Sequence, residues 1–176
     1  MTPPLPSAKV LRSATLLIAV LAVGTLLPAG LARAEGGWNA ESVAQSDKTV
    51  VLETGELRTI WFEYRNRDAN GRAWERHEDP VADVRIGTSN PRDRGSQFLH
   101  SSWIQSTRAG RLDQASVPLN EVGRFTFVVQ APPVFAPIDF TEHFAPLSET
   151  LAWMDDAPYT PTSIVFTVRP RRSDAE

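Results

Sequence analysis

Apolar and polar residues alternate with a period of two in several short segments of this chain, each bounded by Gly, Pro, Asn or Asp. That period puts successive side chains on opposite faces of a strand, so it predicts half-buried strands. Beyond residue 34 no segment carries a long run of helical spacing. Thr49 to Glu53 reads as a first strand, and the turn Glu53-Thr54-Gly55-Glu56 leads into a second, Leu57 to Asn66. In that second strand Ile60, Phe62 and Tyr64 share one face and Trp61 falls on the other. The polar stretch Arg67 to Asp79 contains Asn70-Gly71, a strong loop signal, and Val81 to Gly87 follows as a strand. Thr88 to Gly95 has the composition of an ordered loop. Phe98 to Ile104 reads as a short strand, and Leu112 to Glu121 as a connection that turns at Pro118 and Asn120.

The clearest strand opens at Gly123, where Phe125, Phe127 and Val129 point one way. Burying each of these contributes about 1.5–3 kcal/mol. Ala131-Pro132-Pro133 ends it, because proline brings no N–H to a ladder. The apolar loop Val134 to Pro137 then runs into Ile138 to Leu147, with Ile138, Phe140 and Phe144 on one face. Trp153, Asp155 and Asp156 occupy a turn before the closing strand Ser163 to Arg169, which carries Ile164, Phe166 and Val168. Short strands at this spacing predict an all-β fold, a two-sheet antiparallel β-sandwich of about seven strands.

The first residues carry a different signal. Lys9 and Arg12 precede an apolar run from Ala14 to Leu27, and Ala32-Arg33-Ala34 closes it with small residues, the pattern of a secretory signal peptide over residues 1–34. The alternative is an uncleaved membrane anchor, although Gly24, Pro28 and Gly30 interrupt the segment. Residues 35–48 then read as a flexible leader, 49–169 as the sandwich domain and 170–176 as a disordered tail. Cleavage would leave 142 of the 176 residues, long enough for one core without a covalent staple. The chain has no cysteine, so packing alone must hold an exported fold together. With Lys9, Arg12 and Arg33 gone, the formal charge moves from −3 to −6, which argues against nucleic acid or an anionic membrane as partner. The expected product is a secreted or envelope-associated protein, monomeric or weakly associating, with no membrane span once the signal is removed.

Candidate chemistry is sparse. Arg92, Asp93 and Arg94 could form an anion clamp, but such runs more commonly make an ion network that locks a loop between two strands. Asp155 and Asp156 lack the spacing of an EF-hand loop and read as turn caps. His77, His100 and His143 are scattered, so no metal site and no cofactor are expected. On a strand, adjacent residues face opposite ways, so His100 would not meet its serine neighbours and His143 would not meet Glu142. The chain has no Gly-x-Ser-x-Gly elbow, no His-Glu-x-x-His helix and no glycine-rich phosphate loop. Five tryptophans invite a sugar-stacking reading, with Trp74 after the polar loop as the candidate. The other binding candidate is the apolar patch of Val134, Phe135 and Ile138.

Several strings occur in a telling order: Val84-Arg85-Ile86-Gly87-Thr88-Ser89-Asn90-Pro91-Arg92-Asp93-Arg94, His100-Ser101-Ser102-Trp103, Gly123-Arg124-Phe125-Thr126-Phe127 with Ala131-Pro132, Glu142-His143-Phe144, and Trp153-Met154-Asp155-Asp156. Together they resemble bacterial versions of the Ig-like central domain of the Next-to-BRCA-one family over roughly Thr49 to Val168. The family's Asn, Gly and Trp signature resembles Asn66, Gly71 and Trp74, with a longer polar insertion. The resemblance implies structural roles for Trp103 and Trp153 beside the Arg92–Asp156 network. It also implies that the sandwich is immunoglobulin-like and works as a recognition or spacer module without a catalytic centre. The expected function is therefore non-catalytic binding of an extracellular or cell-envelope protein. The alternatives are a carbohydrate or peptidoglycan-binding module and, behind it, a metal-binding exported protein or hydrolase.

Overall fold

The computed structural model describes Met1 and residues 36–77, 83–156 and 158–172. The chain falls into two units, Met1–Ala32 and Arg33–Glu176, and the second holds every strand described below. The signal-like segment, Val81 and Ala82 of the expected third strand, and the last four residues of the tail lie outside the described residues.

A three-stranded sheet is formed by β1 (Ala40–Gln45), β3 (Leu57–Asn66) and β8 (Val122–Gln130), in the order β1-β3-β8. The larger sheet runs β2-β11-β9-β5-β6, from β2 (Thr49–Glu53), β11 (Thr162–Arg169), β9 (Ile138–Ser148), β5 (Val84–Thr88) and β6 (Arg108–Arg111). Short β10 (Ala152–Trp153) pairs with β9, and β4 (Trp74–Glu75) with β7 (Ser116–Val117). Neighbours are antiparallel except β2 and β11, which run parallel, with Val165 opposite Thr49 and Arg169 opposite Glu53. This is an all-β, immunoglobulin-like sandwich.

Alternation decides which side of each strand is buried. Ile60, Phe62 and Tyr64 of β3, Phe125, Phe127 and Val129 of β8, and Ile164, Phe166 and Val168 of β11 all face the interior and are buried. Phe62, Phe127 and Phe144 meet between the sheets with ring centroids 5.1–5.8 Å apart. Trp61 lies half-buried on the outer face of the smaller sheet, with the Arg124 guanidinium 4.2 Å from its ring centre.

Four sequence expectations change. The leader is not free of structure: Ala40–Gln45 form β1 along β3, and Trp38 and Ala40 join the core. Phe98 to Ile104 do not form a strand. They make turns, with the Trp103 N–H donating to His100 O at 3.0 Å, yet Phe98 and Trp103 are buried. Because β5 covers only the Phe144–Ser148 half of β9, this segment fills the space beside the rest. Phe98 stacks on Phe166 at 4.3 Å, and the Trp103 indole donates to Val128 O at 2.6 Å. The connection from Leu112 also holds β7 and a bridge from Leu112 to Phe125, so β6 continues from the larger sheet onto β8. Finally, Trp74 is fully buried. It packs beside Gly123, where an added Cβ would crowd Leu112 at 2.8 Å and Val117 at 3.1 Å and would meet the Trp74 ring at an ordinary 3.4 Å.

The Tyr64 hydroxyl donates to Thr162 Oγ1 at 2.7 Å in the buried interior. Burial raises its pKa, the bond to Thr162 works against that rise, and the Asp155 charge adds to it. The folded phenol stays protonated while an unfolded one ionises near pH 10, so the unfolded state binds fewer protons above that pH. Stability should therefore fall as pH rises past about 10. The fall should be shallower in Tyr64→Phe, measured by urea unfolding at pH 8 and pH 11.

Candidate functional site

The loop after β8 is built from residues that cannot satisfy one another. Pro132, Pro133 and Pro137 offer no N–H, so the loop is tied from outside. Ala131 exchanges backbone bonds with Gly55 and Glu56, at 3.0 and 2.9 Å, and the Val134 N–H donates to Thr54 Oγ1 at 3.2 Å. Val134 is half-buried and packs on the core, which leaves Phe135 at the tip with 105 % relative exposure. Ile138, the first residue of β9, is 48 % exposed. The structure thus gathers Val134, Phe135 and Ile138 at one end of the sandwich. They border an open cleft of about 490 Å³ whose other walls include Gln97, Pro137 and Phe140. No residue from Ala131 to Ile138 carries a charge.

The second group lies over the larger sheet. The Arg92 guanidinium contacts Asp155 and Asp156, both at 2.5 Å, and Ser89 donates to the other Asp155 oxygen at 2.6 Å. Burial lowers the Arg92 pKa, but the bonds to Asp156 and Asp155 and their charges outweigh it, so the net shift is upward. Trp153 rests on Gly87, with the Arg92 and Arg108 guanidinium carbons 5.6 and 5.3 Å from its ring centre. Arg108 pairs with Asp93 and with Glu149, and Glu149 also meets Arg85, which pairs with Asp83 at 2.6 Å. Arg94 turns the other way, to Glu142 at 2.6 Å, and Trp103 sits apart in the core. Arg92, Asp93, Trp153, Asp155 and Asp156 thus come together, while Arg94 and Trp103 do not join them.

Sequence reasoning missed Asp83, Arg85, Arg108, Glu142 and Glu149, all of them partners in these ion pairs. The only signal available was a Glu at an inward position of β9, between Phe140 and Phe144, where period two demands an apolar residue. It also placed His100 away from its serines. In the turn that forms instead, Nδ1 of His100 lies 2.8 Å from Ser102 Oγ and accepts the Ser102 N–H at 3.2 Å. The ring acts there as an exposed turn cap, and among the described residues no carboxylate pairs with its other nitrogen.

Of the five tryptophans, Trp38, Trp74 and Trp103 are buried, and half-buried Trp61 and Trp153 each carry an arginine over the ring. Among the described residues there is no group of three His, Asp or Glu side chains placed to hold a metal ion. Among the described residues, too, no helix is long and apolar enough to cross a membrane.

No family model and no curated protein matches the chain. Among solved structures it is similar to the BIgI domain of beta protein from S. agalactiae bound to CEACAM1. The identity is 8 %, the match covers 76 % of this chain and 99 % of that one, and the TM-score is 0.30. It is also similar to part of a family 123 glycoside hydrolase from Clostridium perfringens, at 7 % identity over 70 % of this chain and 22 % of that one, with a TM-score of 0.32. Both superpose too loosely to transfer a ligand or an activity.

Proposed function

We propose that this chain is a secreted, non-catalytic recognition or scaffolding module that binds a cell-envelope protein through the apolar loop at the end of the sandwich, in keeping with the resemblance to the Next-to-BRCA-one Ig-like domains. The observation that carries this reading is Phe135, an aromatic ring wholly outside the fold on a tethered, charge-free loop beside an apolar cleft. A large side chain left in water at a rigid position contributes nothing to folding. It is the kind of anchor that concentrates binding energy when a partner covers it. The glycan alternative relied on an exposed indole at Trp74, and that ring is inside.

Phe135→Ser should leave the melting temperature unchanged, within about 0.5 kcal/mol of stability, because nothing packs on the ring. A photo-crosslinking phenylalanine analogue at position 135, presented to an envelope fraction, should form protein adducts that the unmodified protein competes away. Adducts confined to polysaccharide would replace this reading with the glycan one, and no adducts at all would remove the loop as a binding site.

A further inference from the structure

Asn70 alone among the asparagines is followed by a glycine. In such a pair the backbone nitrogen of the second residue can attack the side-chain amide carbon of the first. The two groups are neighbours on one chain, and glycine has no Cβ to shield its nitrogen. The new C–N bond closes a succinimide ring, and the amide nitrogen departs as ammonia, carrying the proton of the attacking N–H. Water then opens the ring to aspartate or isoaspartate. Ala69, Asn70 and Gly71 are all exposed, so water reaches the pair.

The fold holds both reacting groups back. Asn70 Nδ2 donates to Gly36 O at 2.9 Å, and the Gly71 N–H donates to Asp68 O at 3.2 Å. Gly36 and Gly37 belong to the chain that enters the sandwich just ahead of β1, and the Ala69 N–H donates to Gly37 O at 2.7 Å. This close approach requires a glycine at position 37: a Cβ there would lie 2.6 Å from Asn70 Nδ2, and its φ is +106°. The nitrogen that leaves in the reaction is therefore the one that fastens the entering chain. A carboxylate at position 70 has no hydrogen to donate and sets an anion against the Gly36 carbonyl. Arg72 Nη2 also reaches Gly36 O, at 3.3 Å, and a carboxylate beside it competes for that guanidinium, so the second tie loosens with the first.

We propose that Asn70 is a deamidation site guarded by the docked entering chain, and that its conversion in turn undocks Gly36 and Gly37. The coupling runs both ways. The Nδ2 bond to Gly36 must break for the ring to close, and once ammonia has left that bond cannot re-form. The change is irreversible, so undocked molecules accumulate with age.

Peptide mass spectrometry of the folded protein, incubated at mildly alkaline pH, follows the exchange of NH2 for OH at residue 70. Gly37→Ala pushes the amide off Gly36 O and should convert about five- to tenfold faster than the wild type, the rate equivalent of one hydrogen bond. Gly71→Ala places a Cβ beside the attacking nitrogen and should convert about tenfold more slowly or less. Asn70→Asp makes the product directly. In it the Ala69 N–H, protected by Gly37 O, should exchange with solvent about five- to tenfold faster, while the β3 amides exchange as in the wild type. That measurement carries the test if Gly37→Ala fails to fold. A folded Gly37→Ala that converts no faster than the wild type overturns the proposal, and so does unchanged Ala69 exchange in Asn70→Asp. Conversion of the folded wild type as fast as the urea-unfolded chain, or of no variant at all, overturns it too.

Discussion

Phe98→Ala should destabilise the sandwich by about 3–5 kcal/mol, read from urea unfolding, although the residue lies in a segment without regular structure. Phe98 is completely buried, stacks on Phe166 at 4.3 Å and meets Phe140 edge-on at 5.4 Å. Truncation leaves a cavity lined by rigid strands on two sides, which relax little, so the cavity cost adds to the lost transfer free energy. A surface loop residue would cost no more than about 0.5 kcal/mol. A measured loss below 1 kcal/mol would show that the turn segment does not do the work of a strand in closing the core.

The second large effect concerns Glu142, an inward-facing carboxylate on β9 held by Arg94 at 2.6 Å and by Ser96 Oγ at 3.2 Å. Arg94→Met keeps the length of the side chain but leaves that charge nearly without a partner, and should cost about 3–5 kcal/mol. Adding Glu142→Gln should recover most of the loss, because a neutral amide needs only hydrogen bonds where a carboxylate needs a counter-charge. Thermal melts of the wild type, the single and the double variant decide it. If the double variant is no more stable than Arg94→Met, the effect comes from lost packing of the arginine stem.

Much of the sheet framework is legible in the alternation alone. β2 and β3 have the bounds that period two predicts, and β8, β9 and β11 differ by one residue at an end. These strands bury one face, and a slip of one residue would turn that face outward, so the pattern is strongly constrained. The elements that escaped obey a different rule. β1 reads Ala-Glu-Ser-Val-Ala-Gln, with few large apolar residues, because it is held by its bonds to β3 and bulges between Ser42 and Ala44. In residues 98–104 the aromatic content is visible but the conformation is not, since Trp103 reaches the core from a turn. Trp74 is buried where β4 pairs with β7 and Gly123 lies against its ring, 49 residues later, and no local pattern reports such distant neighbours. For the candidate site, the run from Val134 to Ile138 stands out by composition. Whether its tip is in or out of the core is decided by the anchoring of Val134 to Thr54 across 80 residues.

The two ends of the sandwich are not equivalent for anyone wishing to hold it. The chain enters at Gly36 and Gly37, whose carbonyls are bonded by Asn70 and Ala69, and it leaves after Arg169, whose carbonyl is bonded by Thr54 next to Val134. Strand β3 runs between these poles, roughly 33 Å at the usual rise per residue. A tag or solid support joined ahead of Gly36 presents Phe135 freely to the medium, whereas the same handle behind Arg169 shadows it.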